Sequence, residues 1–324
     1  MAVYTQLSTE KLAGLIARYD VGTLVSAKGI AEGVSNSNWL IETTKARYIL
    51  TMYERRIDVG ELPFFLDLLD HLASEGCPVP GTVHTRTGDT SLELDGKALA
   101  LIEFLPGTSP GHPTPEQAFD AGQAVAGVHR AGGSFPHSRP NPLGSESWAP
   151  TLAPYESRLH GIDEKLPPMV ETARALATTW PQELPASICH TDLFPDNVLM
   201  LGDRVTGLID FYFACTEAMA YDLAVTHVAW CFDAAGVFRR DVGNALIAGY
   251  ETARTLSEQE REAMPKLAQG AAMRFIVSRA VDCIETPPTA LVTRKDPMDF
   301  VRRLQVYEEM GDAAFPWQAE FGTR

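Results

Sequence analysis

Along this chain, stretches where apolar residues alternate with polar ones give way to stretches where they recur every third or fourth position. Between residues 23 and 105, the segments TLVSAK, NWLIET and ARYILTMYE carry β-branched and aromatic residues with turn material between them, and each predicts a strand. A short helix over about 8–19 precedes them. Residues 61–75, ELPFFLDLLDHLASE, have apolar positions at helical spacing and stop at Gly76, ahead of PVPG. Strand spacing returns in VHTRT and SLELDGKALALIEFL, where Asp95-Gly96 is a two-residue hairpin signal. Beyond the break PGTSPGHP the spacing is mainly helical. Thr114-Pro115-Glu116-Gln117 offers an N-cap, a proline at the first helical position and a glutamine completing a capping box, for a helix to about His129. Ser257-Glu258-Gln259-Glu260 starts another helix by the same logic. One β-like island, SICHTDLFPDNVLMLGDRVTGLIDFY, interrupts the helices, with Gly202-Asp203 as its turn.

A β-rich first third, a Pro/Gly break and a helical remainder predict an α+β architecture of two unequal lobes, residues 1–103 and 104–324, with a small-ligand cleft near Glu103 to Gly107. The length of 324 residues, 45% of them hydrophobic, is enough for a core of that size. Charge narrows the partners. With 42 acidic against 27 basic residues the formal net charge is -15, which opposes attachment to nucleic acid or anionic membrane. No apolar run approaches the ~20 residues of a membrane span, and MAVYTQLSTEKL lacks the basic start and apolar core of a signal peptide. The expectation is a cytoplasmic protein. Its five cysteines are scattered and never spaced as CxxC, so free thiols are expected rather than disulfides or zinc.

Polar residues crowd one point of the β-island. In HTDLFPDN, Asn197 follows Asp192 by five residues, and Asp210 closes the apolar run VTGLID thirteen residues after Asn197. Phosphoryl transfer needs a carboxylate to orient and deprotonate the attacking hydroxyl, and oxygen ligands for the magnesium that bridges the nucleotide phosphates. Magnesium favours hard oxygen donors and few carboxylates. An Asp-x4-Asn loop, a hairpin and a second Asp supply that set. The kinase pattern H-R-D-x-x-x-x-N followed by D-F-G corresponds here to His190-Thr191-Asp192, Asn197 and Asp210-Phe211-Tyr212. The other reading of His-x-Asp, a metallohydrolase, needs further histidine ligands, and His160 and His227 are not at ligand spacing. Gly107-Thr108-Ser109-Pro110-Gly111 matches the hydrolase G-x-S-x-G pattern, but Pro110 lacks the N–H that the oxyanion hole requires.

These residues resemble the catalytic core of the aminoglycoside phosphotransferase and choline kinase-like superfamily, which implies a bilobal protein-kinase-like fold. The resemblance implies Asp192 as base, Asn197 and Asp210 as magnesium ligands, and His190 as a structural hydrogen-bonding residue. It extends to LIEFLPG, where the backbone around Glu103 and Leu105 would meet an adenine ring, to Val128-His129, and to Ala220-Tyr221-Asp222-Leu223-Ala224, whose Asp would brace the catalytic loop. ATP and Mg2+ are the implied cofactors.

The nucleotide-binding segment departs from the common patterns. There is no GxGxxG and no GxxxxGK[ST], which disfavours a Walker-type NTPase. Instead, GIAEGVSNSNWLI sits between two predicted strands, with Ser35, Asn36, Ser37 and Asn38 as small donors for phosphate oxygens. Thr51 stands where a third-strand lysine is expected, leaving Lys28 and Arg55 as candidate phosphate cations.

Over nearly the whole chain, from YDVGTLVSAKGIAEGVSNSNWLIETT through HTDLFPDNVLMLGDRVTGLIDFYFACTEAMAYDLA to ALVTRKDP, the sequence is similar to the bacterial homoserine kinases of this superfamily. That similarity implies MgATP-dependent phosphorylation of the L-homoserine hydroxyl, a step of threonine biosynthesis. A zwitterionic substrate needs a cation and a carboxylate. Arg274, Ser278, Asp282 and Glu285 share one helix face, which nominates Arg274 for the carboxylate and Asp282 for the ammonium. The bland alternative is an Arg279–Asp282 ion pair. Tyr212 and Phe213 are candidate walls of the acceptor pocket. Choline, methylthioribose, hydroxylysine and aminoglycoside kinases share the same core. The missing lysine raises a catalytically inactive nucleotide-binding protein as the other class.

Overall fold

A computed structural model describes residues 7–30, 36–53, 59–286, 294–315 and 317. The chain divides into two units, Met1–Gly107 with Thr206–Tyr212, and Thr108–Val205 with Phe213–Arg324.

In the first unit, chain order runs α1 (Thr9–Ile16), β1 (Leu24–Ile30), β2 (Asn36–Thr43), β3 (Arg47–Tyr53), α2 (Leu62–Ser74), β4 (Thr82–Val83), β5 (Leu92–Leu94) and β6 (Lys97–Glu103). The strands form one antiparallel sheet in the order β1-β2-β3-β6-β4, with β5 also paired to β6. The β5–β6 turn is the expected Asp95-Gly96, both residues at positive φ (53° and 77°), as a primed hairpin turn demands. Period two then sorts the core onto two faces. Leu99 and Leu101 of β6 cluster with Leu12, Leu15 and Ile16 of α1 and with Trp39, Ile41 and Leu50. Ala98 and Ala100 look the other way, onto Leu62 and Leu66 of α2. Buried on both faces, β6 reads as the unbroken run ALALI.

The returning segment Thr206–Tyr212 is tied into this unit by ordinary contacts. The Thr206 hydroxyl donates to the Pro106 carbonyl, and the Leu208 N–H donates to the Pro78 carbonyl at 2.7 Å. Tyr212 packs edge-on against Tyr53 and Phe65, with ring centroids 5.8 and 6.0 Å away.

In the second unit the elements are α3 (Pro115–Gly132), α4 (Ser145–Leu152), α5 (Glu156–Leu159), α6 (Met169–Thr178), β7 (Ala186–Cys189), β8 (Val198–Leu201), β9 (Arg204–Leu208), β10 (Cys215–Ala218), α7 (Met219–Trp230), α8 (Arg240–Ala253), α9 (Glu258–Glu285) and α10 (Met298–Met310). The division between units falls inside β9. Both expected capping boxes are formed, at Thr114/Gln117 and Ser257/Glu260. The first of these helices runs to Gly132, one turn beyond the expected His129. Every residue of α7 from Ala220 to Trp230 is buried, so it is the central helix of the unit. Against it, α3 and α8 cross closely at small residues. A Cβ on Gly249 would overlap the Phe119 carbonyl oxygen, and one on Gly122 would overlap that of Leu246. The close crossing holds His129 of α3 against Tyr250 of α8. All five cysteines are free thiols. No helix among the described residues is long and apolar enough to cross a membrane.

Two stability predictions follow from this packing. Gly249→Ala must push α8 off α3, and overpacking of that kind costs about 1–3 kcal/mol, readable as a lower urea midpoint at unchanged slope. The second concerns His227, fully buried on α7, whose Nδ1 lies 2.6 Å from the Tyr307 hydroxyl. Burial pulls its pKa from 6.5 down to about 3. Below the unfolded value the unfolded chain binds a proton that the folded chain refuses. His227 therefore removes stability as pH falls from 6.5 towards 3, at about 1.4 kcal/mol per pH unit. Urea unfolding between pH 7 and 4 should show a shallower acid loss in His227→Phe than in the parent protein.

Candidate active site

The loop that carries the polar cluster starts where β7 ends, with Cys189 paired to Cys215 of β10. Two residues later Thr191, β-branched and nearly fully buried, is held at φ 58°. A left-handed backbone at such a residue costs on the order of 1–3 kcal/mol and persists only where its surroundings over-determine it. They do. The Thr191 N–H donates to Asp222 Oδ1 at 2.7 Å, its hydroxyl donates to the Phe213 carbonyl at 3.0 Å, and the His190 N–H donates to Asp222 Oδ2 at 2.8 Å.

Asp222 comes from the first turn of α7 and is 1% exposed. Burial pushes its carboxyl pKa up. Hydrogen bonding and charge from His129, with help from His190, outweigh that and leave it below the ordinary carboxylate value. His129 Nε2 lies 2.9 Å from Asp222 Oδ2, and its Nδ1 lies 2.8 Å from the Tyr250 hydroxyl. An ionised Asp222 requires the proton on Nε2, which leaves Nδ1 and the Tyr250 hydroxyl as partners of each other. The Tyr250 oxygen accepts in turn from Arg254 at 3.1 Å, and Arg254 donates to Glu260 Oε1 at 2.7 Å. Glu260, 1% exposed, uses its other oxygen to accept the Ser257 N–H in the capping box of α9. His129, Cys189 and Asp222 bring their potential ligand atoms within 4.8 Å of one another. Within that group His129 and Asp222 bond each other, and the Cys189 thiol turns to the backbone carbonyls of Ser187 and Glu217.

From Thr191 the chain presents Asp192. Its N–H donates to His190 Nδ1 at 3.2 Å, which fits the bracing role expected of His190. Its carbonyl accepts from Asn197 Nδ2 at 2.8 Å, which engages the Asn197 amide nitrogen. Asp192 Oδ1 pairs with Arg274 Nη1 of α9 at 3.0 Å. Arg274, expected to meet a substrate carboxylate, has its guanidinium on the Asp192 carboxylate. Asp282 lies exposed on the same helix, eight residues further on. Arg279 meets Asp299 at 3.2 Å and the Asp296 carbonyl at 2.9 Å.

The remaining expected residues belong to the first unit. Asp210, exposed and at φ 68°, ends the segment that follows β9. Its charge adds to burial in pushing the Tyr53 pKa up to about 12. Tyr212 is also pushed up, chiefly by burial, and its hydroxyl approaches that of Tyr53 at 3.5 Å. Asn36, Ser37 and Asn38 are the first residues of β2 rather than a free turn, with Asn36 and Ser37 buried. Asn38 Oδ1 accepts from the Thr51 hydroxyl at 2.9 Å across the β2–β3 pair, so Thr51 is spent within the sheet. Lys28 is exposed on β1. The Glu103 N–H donates to the Gly81 carbonyl, its carboxylate accepts the Gly81 N–H, and Leu105 lies in the irregular chain after β6. Ser35 and Arg55 lie outside the described residues.

The sequence matches the phosphotransferase enzyme family over residues 26–256. The chain belongs to this family. It is 46% identical to the homoserine kinase of Methylorubrum populi over 98% of this chain and 100% of that protein. It is 43% identical to the homoserine kinase of Rhizobium meliloti over 100% of this chain and 98% of that one. Among solved structures it resembles an amicoumacin kinase in complex with AMP-PNP and Ca2+, at a TM-score of 0.69 and 13% identity, covering 96% of this chain and 95% of that chain. Spectinomycin phosphotransferase in complex with ADP and spectinomycin gives the same score at 14% identity, with 96% of each chain covered. The expected α+β, protein-kinase-like fold is therefore borne out. As a phosphotransferase of this family, the chain carries its Asp192–Asn197 loop on a buried carboxylate from a neighbouring helix.

Sequence reasoning anticipated Asp222 and His129 by resemblance, but Tyr250, Arg254 and Glu260 went unread. Glu260 registered only as a capping residue, and nothing local to Tyr250 signals a partner 121 residues away. Asp222→Asn keeps the shape but places an NH2 against N–H donors. The loss of a charge-assisted bond should cost about 1.5–3 kcal/mol of stability. Urea unfolding measures that cost, and kcat should fall with it because Thr191 loses its anchor.

Proposed function

We propose that this phosphotransferase is a homoserine kinase, transferring the γ-phosphoryl group of ATP to the side-chain hydroxyl of L-homoserine. The observation that carries the reading is 42–46% identity to curated homoserine kinases over nearly the full chain. The substrate hydroxyl attacks the γ-phosphorus, Asp192 takes the hydroxyl proton, the bond to the β–γ bridging oxygen breaks, and ADP leaves. The product is O-phospho-L-homoserine, an intermediate of threonine biosynthesis. The donor set fits magnesium, since Asn197 Oδ1 and the Asp210 carboxylate are the hard oxygen atoms the ion takes. Magnesium bound by these two residues would neutralise charge on the nucleotide phosphates. Around the nucleotide we assign Lys28 to the phosphates and the chain near Glu103 and Leu105 to the adenine. We assign Tyr212 to the acceptor side and Asp282 to the substrate ammonium.

Purified protein supplied with ATP and magnesium should consume ATP with L-homoserine far faster than with choline, methylthioribose or an aminoglycoside. A preference for choline removes the substrate assignment, and silence with every acceptor removes the enzyme. Asp192→Asn should lower kcat by at least ~10²-fold, the low end for a general base. Nucleotide affinity, read by calorimetry, should stay within about twofold. Near-parental turnover in that variant would take the base role away from Asp192.

A further inference from the structure

Arg274 is 3% exposed, an unusual setting for a cation expected to greet a soluble substrate. Its guanidinium carbon lies 4.3 Å from the centroid of the Phe275 ring and 5.2 Å from that of Phe213. Contacts with two rings fix the orientation of the guanidinium, which a lysine ammonium could not reproduce. Its side-chain hydrogen bond is the one to Asp192 Oδ1, at 3.0 Å. For a substrate carboxylate to take Arg274, that bond must break inside a nearly closed setting, leaving Asp192 without its counter-charge.

The same helix turn braces the loop a second time. Phe275 packs edge-on against Phe194, with ring centroids 4.8 Å apart, and the indole N–H of Trp230 donates to the Leu193 carbonyl at 3.0 Å. The backbone at 190–194 is therefore held by Asp222 and Trp230 of α7, and the Asp192 carboxylate by α9. A carboxylate on a fixed backbone still rotates about its side-chain torsions. With Oδ1 pinned by Arg274, Oδ2 is the oxygen that receives no hydrogen bond from the described residues and is available to a hydroxyl.

We infer that Arg274 is a positioning residue for Asp192, setting the direction of the carboxylate that receives the hydroxyl proton, and is not the receptor for the substrate's own carboxylate. The inference rests on the assignment of Asp192 as base.

The two roles separate in kinetics. Arg274→Met, Arg274→Lys and Phe213→Leu are compared with the parent protein. Turnover of L-homoserine is measured alongside calorimetric binding of L-homoserine in the presence of a non-hydrolysable ATP analogue. A misdirected carboxylate should lower kcat of Arg274→Met by about 10²-fold, with homoserine affinity within about threefold of the parent. Arg274→Lys, which keeps the charge but loses the planar fork, should fall between the two. A loss seated in homoserine affinity, with kcat nearly kept, would overturn the inference and restore the receptor role.

Should Arg274→Met fail to fold, Phe213→Leu decides. This ring is 38% exposed, so its removal is tolerable, and it loosens the guanidinium without touching Asp192. It should lower kcat several-fold at unchanged homoserine affinity. Unchanged kcat, or a loss seated in affinity, would count against the inference. Failure of the substrate assignment shows separately, as a parent protein that prefers another hydroxyl acceptor. The same variants are then read on that acceptor, where a fall in kcat at unchanged binding has the same meaning.

Discussion

A single buried carboxylate organises the second unit. Asp222 is taken almost wholly out of water, which for an isolated ion would be prohibitive. Two backbone N–H groups of the loop after β7 and one imidazole replace the lost hydration. The same bonds hold Thr191 in a backbone region that its branched side chain would otherwise leave. The strain in the loop and the burial of the charge thus support each other, since neither is tenable without the contacts that the other creates.

The consequences run through the helices. His129 turns its second nitrogen to Tyr250, which requires α3 and α8 to cross at the short distance that Gly122 and Gly249 permit. Tyr250 passes the chain of bonds to Arg254 and Glu260, and Glu260 closes the cap of α9. Further along α9 sits Arg274, on the Asp192 carboxylate. A run of polar contacts therefore passes from the loop backbone through α7, α3 and α8 to the first turn of α9, and a separate contact from the same helix meets the loop side chain. Buried networks of this kind favour one geometry because each partly satisfied alternative leaves a donor or a charge exposed to a low-dielectric interior.

The first unit shows a different economy. Thr51 occupies the place of a cation, and its hydroxyl is used by Asn38 on the adjacent strand. A lysine at this position would have to leave the sheet to find a partner, whereas a threonine fits a half-buried pleat and adds a cross-strand bond.

The local signals were the legible ones. Asp95-Gly96, the two capping boxes and the stop at Gly76 each concern residues within one turn or hairpin, and the backbone rules that govern them need no knowledge of the rest of the chain. The spacing of Asp192, Asn197 and Asp210 pointed to phosphoryl transfer because chemistry constrains it, and the family match agrees with that reaction class. Resemblance added Asp222 and His129. What the sequence alone determined was therefore the class of fold and the reaction type. Only the tertiary structure decided that Arg274 turns to Asp192, 82 residues away, that Arg279 pairs with Asp299, and that Asn36 and Ser37 are buried strand residues. Side-chain partners across helices depend on crossing distances and rotamers that many residues set jointly. A helix face read from periodicity tells which residues point together, but not what the opposing element brings to meet them.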